Sequence, residues 1–195
     1  MLKVGITGGI GSGKTMVCSI FSQMGVPVYA SDDRAKMLLQ QDAVLISQVK
    51  NAFGEELYQG TVLDRKKLAA IVFNDNSKLQ QLNGLVHPAV AKDYANWLKA
   101  HAVAPYTLKE AAIMIESGAY ESLDALILVT APKQLRINRV VLRDEASEAA
   151  VLLRMEKQLT DEEKRAFADF EIVNDEKQLL LPQIASIHTQ LMGRI

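Results

Sequence analysis

The segment Gly8–Thr15 is the feature that most constrains what this chain can fold into. It reads Gly-Gly-Ile-Gly-Ser-Gly-Lys-Thr and fits the phosphate-binding pattern G-x-x-x-x-G-K-[ST]. The apolar run Leu2–Ile6 before it predicts a buried strand, and the apolar spacing from Met16 to Met24 predicts a helix. Because strand, loop and helix follow one another in the order that the motif requires, the segment predicts a site for a nucleoside triphosphate.

Each residue type in this segment, called the phosphate loop below, suits that chemistry. Glycines reach backbone angles closed to other residues, so successive N–H groups can point at phosphate oxygens beside a helix N-terminus. Lys14 can supply a positive charge to the β- and γ-phosphates, the Thr15 hydroxyl can bind Mg²⁺, and Met16 can contribute its N–H. The predicted triphosphate-binding residues of this segment are Gly8, Gly9, Gly11, Ser12, Gly13, Lys14, Thr15 and Met16.

Composition narrows the class of protein. The chain has 195 residues and 49% hydrophobic residues, which suits one globular domain with a subdomain, or two small domains. Its net charge of -1 gives no bulk attraction to nucleic acid or membrane. Its one cysteine, Cys18, permits no internal disulfide and suits packing as a small hydrophobe. With no apolar run long enough to span a bilayer and no secretory pattern, we expect a cytoplasmic protein.

Strands alternate with helices along much of the chain. Further strands are predicted at Gly25–Tyr29, Tyr106–Ile115, Leu123–Thr130 and Phe170–Val173. This alternation predicts an α/β fold with a parallel sheet, in which ligands bind at the carboxyl ends of the strands.

Residues 43–101 interrupt the alternation, because they are mostly helical in pattern and contain no clear strand. The predicted helices are Ala43–Ala52, Asp64–Phe73, Ser77–Val86 and Ala89–Lys99. We interpret the stretch as an inserted helical subdomain that covers or binds a substrate. Within it, Arg65 is either an anion contact or a solvated surface residue, and His87 is either a substrate contact or a buried residue at a kink before Pro88.

Asp32 follows the second predicted strand and has two interpretations. It either caps the helical stretch predicted from Ala35 to about Gln40, or it directs a carboxylate at the phosphate loop from the neighbouring strand. We favour the second for Asp32 and retain capping for Asp33, so that Asp32 is the candidate catalytic base.

A helix predicted after Ala131-Pro132 carries Arg136, Arg139 and Arg143 on one face. Basic stripes are usually solvated, but an arginine leaving a strand of a nucleotide-binding sheet can reach a transferring phosphate. A helix is predicted over Glu145–Gln158, and Thr160-Asp161-Glu162-Glu163 has the form of a capping box.

The guanine-reading N-K-x-D pattern of GTPases does not occur, which leaves a small ATP-dependent kinase. At this point the chain resembles the dephospho-coenzyme A kinase family over nearly its whole length. The matching segments, in order, are Gly5–Lys14, Val28–Asp32, Leu63–Arg65, Ile71–Phe73, His87-Pro88, Glu116–Gly118, Arg139 to Asp144, Arg154 with Gln158, and Ala168-Asp169 through Asn174.

The resemblance implies ATP-dependent phosphorylation of the ribose 3′-hydroxyl of dephospho-coenzyme A, the last step of coenzyme A synthesis. It implies a three-layer P-loop NTPase fold over residues 1–195, with a helical acceptor subdomain at 32–103 and an arginine-bearing lid at 136–160. Asp32 is then the catalytic carboxylate, and Lys14 and Arg143 neutralise the moving phosphoryl group with Arg139 as a second lid residue. Arg65 and His87 become acceptor contacts, and the role of Glu116 stays open.

The chain departs from the family pattern at two informative positions. Ala30 stands where an acid two residues before Asp32 is usual, which weakens any contact of that acid with Mg²⁺-bound water. Ala112 stands where a proline is usual. Two alternatives to the implied function remain open, namely a kinase of another small metabolite and a non-catalytic nucleotide-binding regulator.

Overall fold

The computed structural model describes residues 1–72 and 75–195. The strands are β1 Leu2–Thr7, β2 Val28–Ala30, β3 Tyr58–Gln59, β4 Val62–Leu63, β5 Tyr106–Glu110, β6 Ala125–Thr130 and β7 Phe170–Val173. The helices are α1 Lys14–Gln23, α2 Ser31–Gln41, α3 Ala43–Phe53, α4 Arg65–Val72, α5 Asn76–Ala100, α6 Lys133–Asp144, α7 Glu148–Met155, α8 Asp161–Arg165 and α9 Leu180–Met192. The described chain divides into two compact units, Met1–Ala30 with His101–Ile195, and Ser31–Ala100.

A five-stranded sheet organises the first unit, with strand order β2-β5-β1-β6-β7 and every neighbouring pair parallel. The central strand β1 places Val4 beside Leu108 of β5 and Ala125 of β6. The predicted α/β fold with a parallel sheet is therefore confirmed, and the phosphate loop follows the carboxyl end of the middle strand.

Both faces of this sheet are covered. On one face, α1 and α9 contribute Phe21 and Ile187 to a buried cluster with strand residues such as Ile127. On the other face, Met114 and Leu126 form a second cluster. Gly5 of β1 faces that second cluster, and a Cβ there would lie 2.6 Å from the side chains of Leu123 and Met114. The sheet thus forms the middle of three layers.

Strand β5 ends earlier than the sequence predicted. The prediction ran over Tyr106–Ile115, but β5 stops at Glu110 and a series of turns follows. Met114 and Ile115 are buried against the sheet instead of extending a strand. The apolar run correctly indicated burial, but periodicity alone does not distinguish a buried strand from a buried turn segment.

The second unit has its own core, formed by apolar side chains of α2, α3, α4 and α5. The prediction of no strand in this stretch was wrong, because β3 and β4 form an antiparallel hairpin that pairs Tyr58 with Leu63. Gly60, at a φ of 64°, opens the two-residue connection. Strands of two residues are too short to produce an alternating pattern, so only the glycine marked the turn.

Residues 76–100 form one helix, not the two that were predicted on either side of His87-Pro88. A proline inside a helix removes one backbone hydrogen bond and is unfavourable by about 3 kcal/mol. Contacts of α5 with the other helices of its unit offset that cost, among them the paired hydrogen bonds of Arg34 with Asp93.

Two helix caps that the sequence predicted are present in the structure. Asp64 accepts a hydrogen bond from the Lys67 N–H at the start of α4, and Thr160 forms the predicted capping box with Glu163. The helix predicted over Glu145–Gln158 is shorter, because α7 starts after its Ser147 cap and ends at Met155. The predicted end of the α4 segment, Phe73, lies outside the described residues. Among the described helices, none is long and apolar enough to cross a membrane.

Candidate functional site

The phosphate loop joins β1 to α1 in a conformation that depends on glycine. Gly11 and Gly13 have φ values of 79° and 94°, in the left-handed region where a Cβ would be strained. The Ser12 N–H donates to the Gly9 carbonyl at 3.1 Å, which closes a turn within the loop. Ser12 is fully buried within this turn.

Lys14, the first residue of α1, extends back over the loop. Its ammonium group donates to the Gly8 carbonyl at 2.8 Å and lies 3.4 Å from the Gly9 carbonyl. The residue is 9% exposed, so its charge is held at the loop and not in solvent. A cation fixed beside backbone N–H groups at a helix N-terminus is an arrangement suited to an anionic ligand.

Thr15 and Glu110 bring two oxygen ligands together beside the loop. Thr15 Oγ1 donates to Glu110 Oε1 at 3.2 Å, and the Thr15 residue is exposed. Glu110 is the last residue of β5, and its Cα pairs with that of Ala30 on β2. A carboxylate is therefore present next to the position where the family pattern has an acid and this chain has Ala30.

Cys18 lies one turn after Lys14 on the buried face of α1. Burial raises the pKa of its thiol well above the ordinary value, and the negative charge of Glu110 adds to that effect. The thiol therefore stays neutral, which agrees with the prediction that Cys18 packs as a small hydrophobe.

The three arginines of α6 have different environments. Arg136 is buried, and its Nε donates to the Ile10 carbonyl at 3.0 Å while its Nη1 pairs with Asp161 at 3.1 Å. Arg139 contacts the Gly11 carbonyl at 3.4 Å and pairs with Glu176 at 2.9 Å. Arg136 and Arg139 therefore contact the loop backbone, and the hypothesis that an arginine of this helix reaches the transferring phosphate stays a prediction.

Arg143, one turn further along α6, contacts the acidic residue at the end of the same helix. Its side chain is 63% exposed, and its Nε pairs with Asp144 Oδ1 at 2.7 Å. The hydrogen bond to Asp144 raises the pKa of Arg143 and lowers that of Asp144, and Arg154 binds the second oxygen of the same carboxylate at 3.0 Å. The arrangement keeps Arg143 fully charged.

The candidate residues of the second unit are all on its surface. Asp32 lies in the first turn of α2, Arg65 begins α4, and His87 lies within α5, and all three are exposed. The interpretation of His87 as a buried kink residue is therefore wrong. No described contact joins the three side chains to one another, so their roles stay predictions.

Two residues with clear contacts at the loop were missed in the sequence. The Asn174 side-chain amide donates to the Ser12 carbonyl at 2.8 Å, and Glu110 binds Thr15 as described above. Both stand at or just after the carboxyl end of a parallel strand, β7 and β5. The rule that ligands bind at these ends could have identified them as candidates.

Glu116 has a structural explanation that the sequence did not give. Its Oε1 lies 2.9 Å from the ammonium group of Lys164, which is fully buried, and accepts a hydrogen bond from the Leu159 N–H at 3.0 Å. Lys164 also donates to the Ala112 carbonyl at 3.2 Å. The pair fastens α8 to the segment after β5.

We expect Glu116→Gln to lower the free energy of unfolding by about 3 kcal/mol, because it leaves the buried Lys164 charge without its counter-ion. Urea denaturation measures the change. As a control, Glu162→Gln removes one partner of an exposed ion pair with Arg165 and should leave stability nearly unchanged. Equal effects of the two substitutions would contradict the buried-pair account, and the double variant with Lys164→Met should recover most of the loss.

A glycine-rich loop between the central parallel strand and α1, with a cationic helix beside it, defines a nucleotide-binding protein of the P-loop fold. Solved structures agree. A Thermus thermophilus protein of known crystal structure superposes with a TM-score of 0.85 at 31% identity, covering 100% of this chain and 97% of that one. Dephospho-CoA kinase from Campylobacter jejuni superposes with a TM-score of 0.73 at 26% identity, covering 99% and 98%. Shikimate kinase from Acinetobacter baumannii, with a TM-score of 0.53 at 14% identity, shares the fold alone.

Sequence relatives give the family. The family model for dephospho-CoA kinase matches residues 2–179. Dephospho-CoA kinase from Bacteroides fragilis is 38% identical over 194 residues, which covers 100% of this chain and 95% of the relative. The relative from Porphyromonas gingivalis is 37% identical over 96% of this chain and 93% of its own length. The chain belongs to the dephospho-CoA kinase family, and it is therefore an enzyme of the transferase class.

Proposed function

We propose that this chain transfers the γ-phosphoryl group of ATP to the ribose 3′-hydroxyl of dephospho-coenzyme A, giving coenzyme A and ADP. The observation that carries the proposal is the family match over residues 2–179, which includes the phosphate loop and every candidate residue. ATP and dephospho-coenzyme A are then the two substrates, and the reaction is the last step of coenzyme A synthesis.

ATP would bind with its phosphates against the loop Gly8–Thr15 and the first turn of α1. The left-handed glycines and the buried Lys14 favour this interpretation, because they provide backbone donors and a fixed positive charge at one place. Phosphoryl transfer passes through a loose transition state, so charge neutralisation and positioning supply most of the catalysis. Lys14 supplies that charge on the loop side, and Arg139 and Arg143 supply it from the lid, residues 136–160.

Mg²⁺ would be held beside Thr15 and Glu110. The cation prefers oxygen ligands, and a hydroxyl and a carboxylate separated by 3.2 Å fit that preference. Thr15 and Glu110 would hold the cation, which would supply positive charge to the phosphates of ATP. The Glu110 carboxylate then takes over the role that the acid at the position of Ala30 has in the family pattern.

We expect Glu110→Gln to raise the Mg²⁺ concentration for half-maximal turnover by about tenfold, because the substitution removes a charged oxygen ligand and keeps the side-chain shape. A magnesium titration at saturating ATP measures the shift. Glu121→Gln, on an exposed residue of the same unit, is the matched control and should leave the titration unchanged. Coincident curves for Glu110→Gln and the unmodified chain would remove Glu110 from the metal site.

The acceptor hydroxyl would be oriented by the carboxylate of Asp32, with Arg65 and His87 contacting other parts of the acceptor. All three side chains are exposed on the helical unit, which leaves them available to a ligand. The carboxylate accepts the proton of the 3′-hydroxyl as the phosphorus–oxygen bond forms, and ADP leaves. Closure of the lid would exclude water, which otherwise competes as the phosphoryl acceptor.

The position of the phosphate in the product tests this proposal. The purified chain is incubated with Mg-ATP and dephospho-coenzyme A, and the product is identified by mass spectrometry and phosphorus NMR. We expect coenzyme A with a phosphomonoester on the 3′-oxygen. A product phosphorylated elsewhere, or no phosphorylated acceptor, would overturn the assignment and favour a kinase of another small metabolite.

A further inference from the structure

Ile10 lies at the tip of the phosphate loop, and its backbone N–H, its carbonyl and its side chain all contact the lid. Its N–H donates to Gln158 Oε1 at 2.8 Å, and its carbonyl accepts from Arg136 Nε at 3.0 Å. Its side chain packs against the apolar cluster that α6 and α7 form around Ile137 and Val151. Arg136 and Gln158 are near the two ends of the lid in sequence, so both ends converge on one loop residue.

The contact between Arg136 and the loop leaves no free space. A Cβ built on Gly9 would lie 1.9 Å from Arg136 Nη2, and one built on Gly11 would lie 2.4 Å from the Arg136 carbonyl. The guanidinium is further fixed by Asp161 at 3.1 Å, where α8 begins. Arg136 therefore binds both the loop backbone and Asp161.

The hydrogen bond to the Ile10 carbonyl also fixes the next N–H group. A trans peptide is planar, so its carbonyl and its N–H point in opposite directions. When Arg136 holds the carbonyl of Ile10, the N–H of Gly11 must point away from Arg136, toward the other side of the loop. The Gly11 and Ser12 carbonyls accept from Arg139 and Asn174 in the same way, so donors outside the loop orient three successive peptides.

We propose that Ile10 is the joint through which the lid sets the phosphate loop for triphosphate binding, with Arg136 and Gln158 as positioning residues. The proposal rests on the proposed function in that ATP is the ligand of the loop. Binding and lid order are then coupled in both directions, because linkage between two sites is reciprocal. When the contacts between the lid and Ile10 are lost, the phosphate loop binds ATP more weakly. Bound ATP then orders the lid less.

The substitution Gln158→Leu tests the joint without changing any charge. It removes the acceptor of the Ile10 N–H and keeps a side chain of similar size. We expect the Kd for ATP, measured by calorimetry without acceptor, to rise about tenfold, as loss of one partly buried hydrogen bond allows. Gln134→Leu is the matched control, because Gln134 is exposed on α6 and its side-chain amide binds Asn138, not the loop.

Arg136→Lys is the second variant, since it retains the charge but cannot serve Ile10 and Asp161 together. It should also weaken ATP binding, whereas an arginine that acts only by its charge would be replaced by lysine without loss. Limited trypsin digestion at Arg154 and Lys157 gives an independent readout. ATP should protect these bonds in the unmodified chain and should protect them less in Gln158→Leu.

An unchanged Kd for ATP in Gln158→Leu, or an equal rise in Gln134→Leu, overturns the proposal that Ile10 couples the lid to the phosphate loop. A purely structural role of Gln158 would lower the Tm and leave the Kd unchanged, which also overturns it. If Arg136→Lys fails to fold, the half-buried Gln158 decides the question. ATP binding is measured without acceptor. A failure to phosphorylate dephospho-coenzyme A therefore contradicts the proposed function, but the Kd values for ATP still test the role of Ile10.

Discussion

Asp32→Asn is expected to lower turnover with dephospho-coenzyme A by about 100-fold or more, because the acceptor hydroxyl loses its proton acceptor. Steady-state ADP release at saturating ATP measures the effect on kcat. Asparagine keeps the size of the side chain, and Asp32 lies exposed in the first turn of α2, so the fold should persist. The Kd for ATP should remain close to that of the unmodified chain.

Asp33→Asn is the matched control for this prediction. Asp33 is adjacent in the same helical turn, is exposed, and pairs with Lys36 at 2.6 Å. Its loss should change kcat by no more than about twofold, because exposed ion pairs contribute little. Turnover that survives Asp32→Asn, or that falls equally in Asp33→Asn, would remove Asp32 as the base while leaving the kinase assignment intact.

Lys14→Met is expected to lower kcat/KM for ATP by about 100-fold or more, because the loop loses its fixed charge at the transferring phosphate. Methionine retains most of the aliphatic stem, which matters for a residue that is 9% exposed. Single-turnover ADP formation together with the Kd for ATP separates loss of binding from loss of transition-state stabilisation. A larger effect on the chemical step than on binding is the expected outcome.

The control for Lys14 is Lys133→Met, which removes one exposed lysine from the start of α6 in the same unit. Screening at physiological salt should limit its effect to about threefold. If Lys14→Met binds and turns over ATP normally, the loop does not act as a phosphate site. A fall in Tm without a fall in the activity of the folded fraction would show that Lys14 serves only the Gly8 and Gly9 carbonyls.

The elements that were predicted well are those with strong local signals. The phosphate loop was identified because its glycines, Lys14 and Thr15 have fixed spacing between a buried strand and an amphipathic helix. The Thr160 capping box is likewise a local pattern with a direct structural meaning. By contrast, Ala112–Ile115 is as apolar as a strand, and its turns depend on packing against β6 that no local pattern encodes.

Much of the candidate site depends on pairings between segments distant in the chain. The pairing of Ala30 with Glu110 joins positions eighty residues apart in sequence. This pairing places a carboxylate beside Ala30, the position where the family pattern has an acid. The contact of Arg136 with Ile10 likewise joins α6 to the first loop. The sequence showed three arginines on one face of a helix, but periodicity cannot tell which of them the loop backbone binds.

ADP release from Mg-ATP by the purified chain tests the proposed activity directly, with dephospho-coenzyme A compared with a panel of nucleosides, nucleotides and shikimate. We expect strong stimulation by dephospho-coenzyme A and little by any other acceptor. Stimulation by a different acceptor would keep the P-loop kinase and replace its substrate. ATP binding without stimulation by any acceptor would contradict the central claim and favour a non-catalytic nucleotide-binding protein.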